Sequence, residues 1–157
     1  MSDSSEGGGF PDKGRLLGID FGTKRIGIAV CDWDQSIAGP VENYTRQTRQ
    51  LDALHFEAVV QDYEAIGLVV GLPVHMSGDE GGKARQARSF GNWLGGQLGL
   101  PVCFWDERYT SAAAEDHLAA ANLSSRKRKA RMDMVAAHVL LQSFLDAPDR
   151  DLPPQSY

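Results

Sequence analysis

Cysteine is scarce in this chain. The two present, Cys31 and Cys103, lie in separate apolar runs, match neither a disulfide framework nor a zinc-ligand spacing, and read as buried thiols. His55, His75, His117 and His138 show no HExxH or similar spacing, which argues against a zinc hydrolase. No GxxxxGK[ST] phosphate loop occurs, and the glycine-rich GDEGG at 78–82 carries two acids that would repel phosphate. No uncharged apolar run approaches the length of a membrane span, and the opening MSDSSEGGGFPDKG lacks the basic-then-apolar layout of a secretory leader. A cytoplasmic protein is expected, without a membrane partner. Positive charge is not in excess either: the formal net charge is −5 and the pI is near 5.3, which disfavours gripping nucleic acid by bulk attraction.

What is present fits one compact domain. At 157 residues and 17.1 kDa, folding hides about 70% of the unfolded chain's surface. The acidity belongs to the ends: residues 1–12 hold three acids and no base, and 146–157 hold Asp146, Asp149 and Asp151 against Arg150. The body between is neutral, with its bases clustered at Lys24-Arg25, at Lys83, Arg85 and Arg88, and in the run Arg126-Lys127-Arg128-Lys129 with Arg131. A local polyanion site is compatible with that distribution. The polar segment 1–14 is expected to be a disordered tail, 15–146 the folded domain, and 147–157 a second tail.

Hydrophobic patterning predicts a mixed sheet. LLGID and IGIAVCD flank a turn containing Gly22 and read as a hairpin; in the second run Ile26, Ile28 and Val30 point one way and Gly27, Ala29 and Cys31 the other. A third strand is expected over Ser36 to Glu42, with Pro40 suited to a sheet edge or a bulge. An amphipathic helix follows over Thr48 to Glu64, its period carried by Leu51, Leu54, Ala58 and Val59. Then come a buried strand over 66–72, a helix from about Lys83 to Leu98, a strand over 100–105, a helix from Thr110 to Leu123, and a last helix to about Leu145, capped by Ser124 or Ser125. Hairpins followed by alternating units give an α/β fold: a mixed five-stranded sheet, antiparallel in its first three strands and parallel beyond, flanked by helices.

Three carboxylates occupy places where such a fold puts chemistry. Asp20 ends the first strand, and Glu107 ends a later one. Taken singly, each has an ordinary role as well: Asp20 as a turn cap, Glu107 in a surface ion pair with Arg108. Asp133 heads a helical stripe of Ala136, Ala137, Leu140, Leu141 and Phe144, with Arg131, His138 and Gln142 on the other side. A carboxylate so placed needs a partner, because removing it from water costs several kcal/mol. Lys129, one turn earlier, or a strand-end backbone amide would serve; so would a divalent cation shared with Asp20 and Glu107. Hard oxygen ligands of this kind suit Mg²⁺ or Mn²⁺. The basic run ahead of Asp133 is costly at a helix N-terminus, where the macrodipole is already positive, and phosphate contact would explain it.

Four blocks, GIDFGTKRIGIAVCD at 18–32, VVGLPVHMSGDEG at 69–81, WDERYTS at 105–111 and MDMVAAHVLLQSFL at 132–145, together resemble the YqgF family, relatives of RuvC-type Holliday junction resolvases with a ribonuclease H-like fold. The DFGT block alone also resembles the phosphate loop of sugar kinases and actin-like ATPases, but those need two large lobes. The resemblance implies that Asp20, Glu107 and Asp133 are catalytic and metal-ligating. It also implies a nuclease that processes the 5′ end of pre-16S rRNA in ribosome biogenesis or, by analogy to the resolvases, cuts branched DNA. Tyr109, Ser111 and Cys31 depart from the familiar pattern without touching a proposed ligand. On this reading Lys24, Arg25, Arg108, Arg126, Lys127, Arg128, Lys129 and Arg131 hold the nucleic-acid backbone without reading its sequence. The competing expectations are a non-catalytic nucleic-acid-binding module of the same fold and a small regulatory partner that would expose apolar surface near Trp33 or Trp93. A monomer or a homodimer is open, and two symmetric cuts in a junction would need the dimer.

Overall fold

A computed structural model describes residues 10–73, 81–107 and 125–150, with the side chains of 125–134 outside the described set. The elements run β1 (Leu16–Asp20), β2 (Arg25–Cys31), β3 (Ala38–Thr45), α1 (Arg49–Tyr63), β4 (Gly67–Leu72), α2 (Gly82–Leu98), β5 (Val102–Asp106) and α3 (Ser125–Asp146). The strands form one sheet in the order β3-β2-β1-β4-β5, antiparallel on the β3-β2-β1 side and parallel from β1 through β5. The helix expected over Thr110 to Leu123 and the cap at Ser124 lie outside the described residues. Among the described residues no helix is long and apolar enough to cross a membrane.

Side-chain alternation divides the core into two layers. Leu17, Ile19, Ile26, Ile28, Leu68 and Val70 face α1 and α2 and pack on Phe56, Val59, Phe90 and Leu94. Leu16, Ala29, Cys31, Ala38, Val69 and Trp105 face α3 and pack on Ala137, Leu140, Leu141 and Phe144. The α3 face carries small residues near the middle of the sheet, so the helix backbone sits close. At Gly18 an added Cβ would lie 2.8 Å from Leu141 Cβ and 3.1 Å from the Ala137 carbonyl oxygen. Pro40 sits on the edge strand where the register slips: Ile28 faces Glu42 while Ala29 faces Pro40, which leaves Val41 as a bulge.

Several expectations need correction. Leu51, Leu54 and Ala58 are exposed on α1, and its buried face is Asp52, Phe56 and Val59. The reason is local: Thr48 caps the helix, its Oγ1 accepting from the Leu51 amide at 3.2 Å, and the first turn points the Asp52 carboxylate inward to donors on the preceding segment. The third strand runs on to Thr45. Cys31 is buried, but Cys103 is only half-buried. Gln142 does not face solvent freely; its Oε1 accepts from the Ala38 amide at 2.8 Å and its Nε2 donates to the Ser36 carbonyl, tying α3 to the start of β3.

Both chain ends of the domain are also more ordered than their composition suggests. Phe10 meets Phe144 edge-on at 5.8 Å, and the Gly14 amide donates to the Trp33 carbonyl at 2.7 Å. Buried Gln35, at φ +56°, donates to the Gly14 and Pro11 carbonyls and accepts from Arg150 Nη1 at 2.8 Å. Residues 10–14 and 147–150 thus join the folded body at the end of the sheet opposite Asp20.

Candidate active site

Asp20, Gly71 and Glu107 stand at the carboxyl ends of β1, β4 and β5, on the face covered by α3. The alternation fixes this: Gly18 and Asp20, Val69 and Gly71, and Trp105 and Glu107 are each two residues apart, and Gly18, Val69 and Trp105 all contact α3. β4 lies between β1 and β5. The two acids therefore start from backbones two strand spacings apart, about 9–10 Å.

A missing side chain closes that gap. Continuing the β1–β4 register from Ile19–Val70 by one residue puts Asp20 beside Gly71. A Cβ on Gly71 would fall 2.5 Å from Glu107 Oε2 and 2.9 Å from its Cγ, so the Glu107 side chain lies directly over this glycine. Glu107 crosses β4 there and hydrogen-bonds the Asp20 carboxyl. Two carboxyl groups can share a hydrogen bond only when one of them keeps a proton. Burial raises the Glu107 pKa above its ordinary value; the Asp20 hydrogen bond opposes this, and the neighbouring Asp106 charge adds to it. Asp106 itself is fully buried on the opposite face of β5, an acid with no part in the sequence reading.

Position 133 is placed by the α3 backbone. Phe144 meets Phe10, and Gln142 bonds Ser36 and Ala38 at the end of the sheet opposite Asp20, while Ala137 lies over Gly18, so moving toward the N-terminus of α3 leads toward the Asp20 end. From Ala137 to position 133 is about 6 Å of helix, and from Gly18 to Asp20 is about 6.6 Å of strand. Position 133 shares the helical face of Ala137 and Leu141; the side chain of Asp133 lies outside the described residues. Among the described residues no three His, Cys, Asp or Glu side chains form a metal-holding group.

Of the expected backbone-holding bases, Lys24 in the β1–β2 turn and Arg25 at the start of β2 are exposed and line a cavity of about 530 Å³ with Thr23, Thr45, Arg46 and Gln47. Arg108 and the side chains of Arg126, Lys127, Arg128, Lys129 and Arg131 lie outside the described residues. A second basic group stands at the site, one that the sequence shows only in part. A cavity of about 360 Å³ brings Lys83 and Gln86 from the start of α2 beside Glu107, walled by Phe21, Gly22, Thr23 and Pro73. It adjoins a larger one, about 540 Å³, lined by Phe21, Thr23, Arg46, Arg49, Gly82, Arg85, Gln86, Ser89 and Phe90. The Lys83, Arg85 and Arg88 cluster was visible as charge; Arg46 and Arg49 straddle a strand–helix junction and carry no periodic signal.

Residues 14–147 match the family model described as RuvX, Holliday junction resolvase. The chain belongs to the RuvX family. Relatives include proteins named "Putative pre-16S rRNA nuclease" from Rhodopirellula baltica, 42% identical over 139 residues covering 88% of this chain and 80% of the relative, and from Sphingopyxis alaskensis, 42% identical over 140 residues covering 89% and 91%. The fold likewise matches Thermus thermophilus RuvC, solved in complex with a Holliday junction substrate, with a TM-score of 0.50 at 13% identity over 83% of this chain and 92% of that one. The RuvX chain thus has the ribonuclease H-like architecture expected from its four sequence blocks, and the names borne by its family and relatives are those of nucleases, hydrolases of phosphodiester bonds.

Proposed function

We propose that this RuvX-family protein is a metal-dependent nuclease that hydrolyses phosphodiester bonds in structured nucleic acid, with the 5′ end of pre-16S rRNA as its substrate and the cytoplasm as its place of work. One observation carries the reading: Asp20 and Glu107, distant in sequence and on strands that do not touch, hydrogen-bond across Gly71 at the carboxyl edge of the sheet. Holding two half-buried acids in contact is unfavourable for structure alone, since one must stay protonated or be neutralised.

The pair fits a divalent cation, because an ion in place of the shared proton would satisfy the same hard oxygens. Asp20, Glu107 and Asp133 would hold Mg²⁺ or Mn²⁺, which supplies Lewis-acid polarisation of a phosphoryl oxygen and acidifies water at the site. The chain's own residues do the rest. Lys83, at the same cavity as Glu107, offsets the negative charge that a substrate phosphate brings to an acidic site. Gln86 offers an amide to a phosphate oxygen, and Phe21 and Pro73 form walls that limit water. Lys24, Arg25, Arg108, Arg126, Lys127, Arg128, Lys129 and Arg131 hold the flanking backbone and set its register.

The test is cleavage of pre-16S rRNA and of a four-way DNA junction by wild type and by Asp20→Asn, each shown to be folded, in Mg²⁺ and in EDTA. Wild type is expected to cut the rRNA in Mg²⁺ alone, and Asp20→Asn to cut neither. Preferential cutting of the junction would move the substrate to branched DNA, and a monomer in light scattering would count against paired junction cuts. Inertness toward both substrates, with binding unaffected by EDTA, would establish the non-catalytic module instead.

A further inference from the structure

Asp52 is a carboxylate with no exposed surface on the first turn of α1, and it bonds Tyr44 of β3 at the end of the sheet that also carries Asp20. Its Oδ1 accepts from Tyr44 Oη at 2.6 Å and from the Gln47 amide at 2.8 Å, and its Oδ2 accepts from Arg46 Nε at 3.4 Å. Burial alone would raise its pKa, but the bonds from Tyr44, Gln47 and Arg46 hold it below the ordinary aspartate value, so it is a charged anchor. The guanidinium it anchors is fixed again by two rings, 5.1 Å from the Phe21 centroid and 5.3 Å from that of Phe90. Only Nε is used: Nη1 and Nη2 of Arg46 have no partner among the described residues, and the side chain is 23% exposed.

These terminal donors lie at the cavity that also receives Arg49, whose guanidinium stacks 5.0 Å over Trp93, and Arg85, with Thr23, Gln86 and Ser89 as neutral hydrogen-bonding groups and no acid in the lining. A pre-oriented planar fork in a cavity of three arginines suits a phosphate, which it can bind in bidentate fashion. Phe21, Thr23 and Gln86 are shared with the cavity holding Glu107, so a strand with one phosphate at the acids can continue past them to the arginines.

We propose that the Arg46, Arg49 and Arg85 cavity is a phosphate subsite for the substrate strand flanking the cut, with Asp52 and Tyr44 as positioning residues that hold Arg46 in its binding orientation. The proposal rests on the nuclease reading for what the strand is, but its test does not need cleavage.

The experiment measures binding of a fluorescein-labelled single-stranded 12-nucleotide RNA, in EDTA, as a function of KCl, for wild type, Arg46→Gln, Arg46→Lys and Ser89→Asp. Arg46→Gln is expected to weaken binding about tenfold or more and to lower the salt slope by about 0.7, the loss of one neutralised phosphate. Arg46→Lys should keep most of the slope and still lose affinity, because a point charge cannot replace the fork. Ser89→Asp, on the exposed face of α2 and so tolerant of change, puts a carboxylate beside the same phosphate and should weaken binding even if Arg46→Gln fails to fold. A strand with a neutral methylphosphonate at one position should lose affinity for wild type but not for Arg46→Gln. Affinities within twofold of wild type for the folded variants would overturn the subsite. Calorimetric binding of inorganic phosphate, with the RNA indifferent to Arg46, would assign the cavity to a free anion and overturn the strand assignment. Inertness of wild type toward both substrates would overturn the nuclease reading, and cleavage by Asp20→Asn would overturn the assignment of the cut to the acid pair; either would leave this binding result untouched.

Discussion

Replacing Gly71 by alanine would disturb the acid pair without removing a single ionisable group. The new Cβ would sit 2.5 Å from Glu107 Oε2, and ordinary contact begins near 3.4 Å, so the carboxylate must withdraw by about 0.9 Å or swing off β4 altogether. A displacement of about 1 Å in a catalytic group is enough to cost on the order of a hundredfold in rate. Stability should change by less than about 1 kcal/mol, or about 2–4 °C in Tm, because the clash is with the far end of a flexible side chain rather than with backbone. Single-turnover cleavage with the substrate in Mg²⁺, beside a thermal melt, separates the two effects: the expected result is a rate loss of about a hundredfold with a near-normal melt. The companion variant Gly71→Ala/Glu107→Asp, with a shorter acid, should recover part of the rate. Cleavage by Gly71→Ala within twofold of wild type would refute the claim that Glu107 works from its position across this glycine.

Gly18→Val should cost about 1–3 kcal/mol in urea unfolding, since its Cβ would press on Leu141 Cβ at 2.8 Å and force α3 off the sheet. Acid unfolding should expose Asp52: its folded pKa is depressed, so its contribution is complete above the ordinary aspartate pKa of about 3.9 and is lost as pH falls through the folded value. The urea midpoint of wild type should therefore fall more steeply below about pH 4 than that of Asp52→Asn, and parallel curves would contradict the buried charge. Gln35→Ala leaves the Gly14 and Pro11 carbonyls and the Arg150 guanidinium without this partner, and should speed amide exchange at Gly14 and lower stability by about 1–3 kcal/mol.

The legible parts of this molecule are those where one physical period dominates. Ile26, Ile28 and Val30 alternate with Gly27, Ala29 and Cys31, and the structure divides them between the α1–α2 layer and the α3 layer as the alternation requires. Pro40 lacks an amide to donate and found the edge and the bulge. Asp20 and Glu107 could be placed at strand ends from the pattern, yet their meeting depended on Gly71, whose only contribution is an absent side chain. Such a signal is invisible without the neighbouring strand. Leu51 and Leu54 misled because α1 is apolar on more than one side, and the inward face was chosen by Asp52 bonding to Tyr44, Arg46 and Gln47, residues that precede the helix. Phe10 to Gly14 read as tail because their order comes from Gln35 and Phe144, far along the chain, and not from their own composition.

Mn²⁺ titration followed by electron paramagnetic resonance tests the central claim most directly, because it counts bound ions without requiring turnover. Wild type should hold Mn²⁺, competed by Mg²⁺, and Asp20→Asn and Glu107→Gln should each lose at least about tenfold in affinity while remaining folded. Equal Mn²⁺ binding by wild type and both variants would show that the acids meeting across Gly71 are not the place where a cation is held.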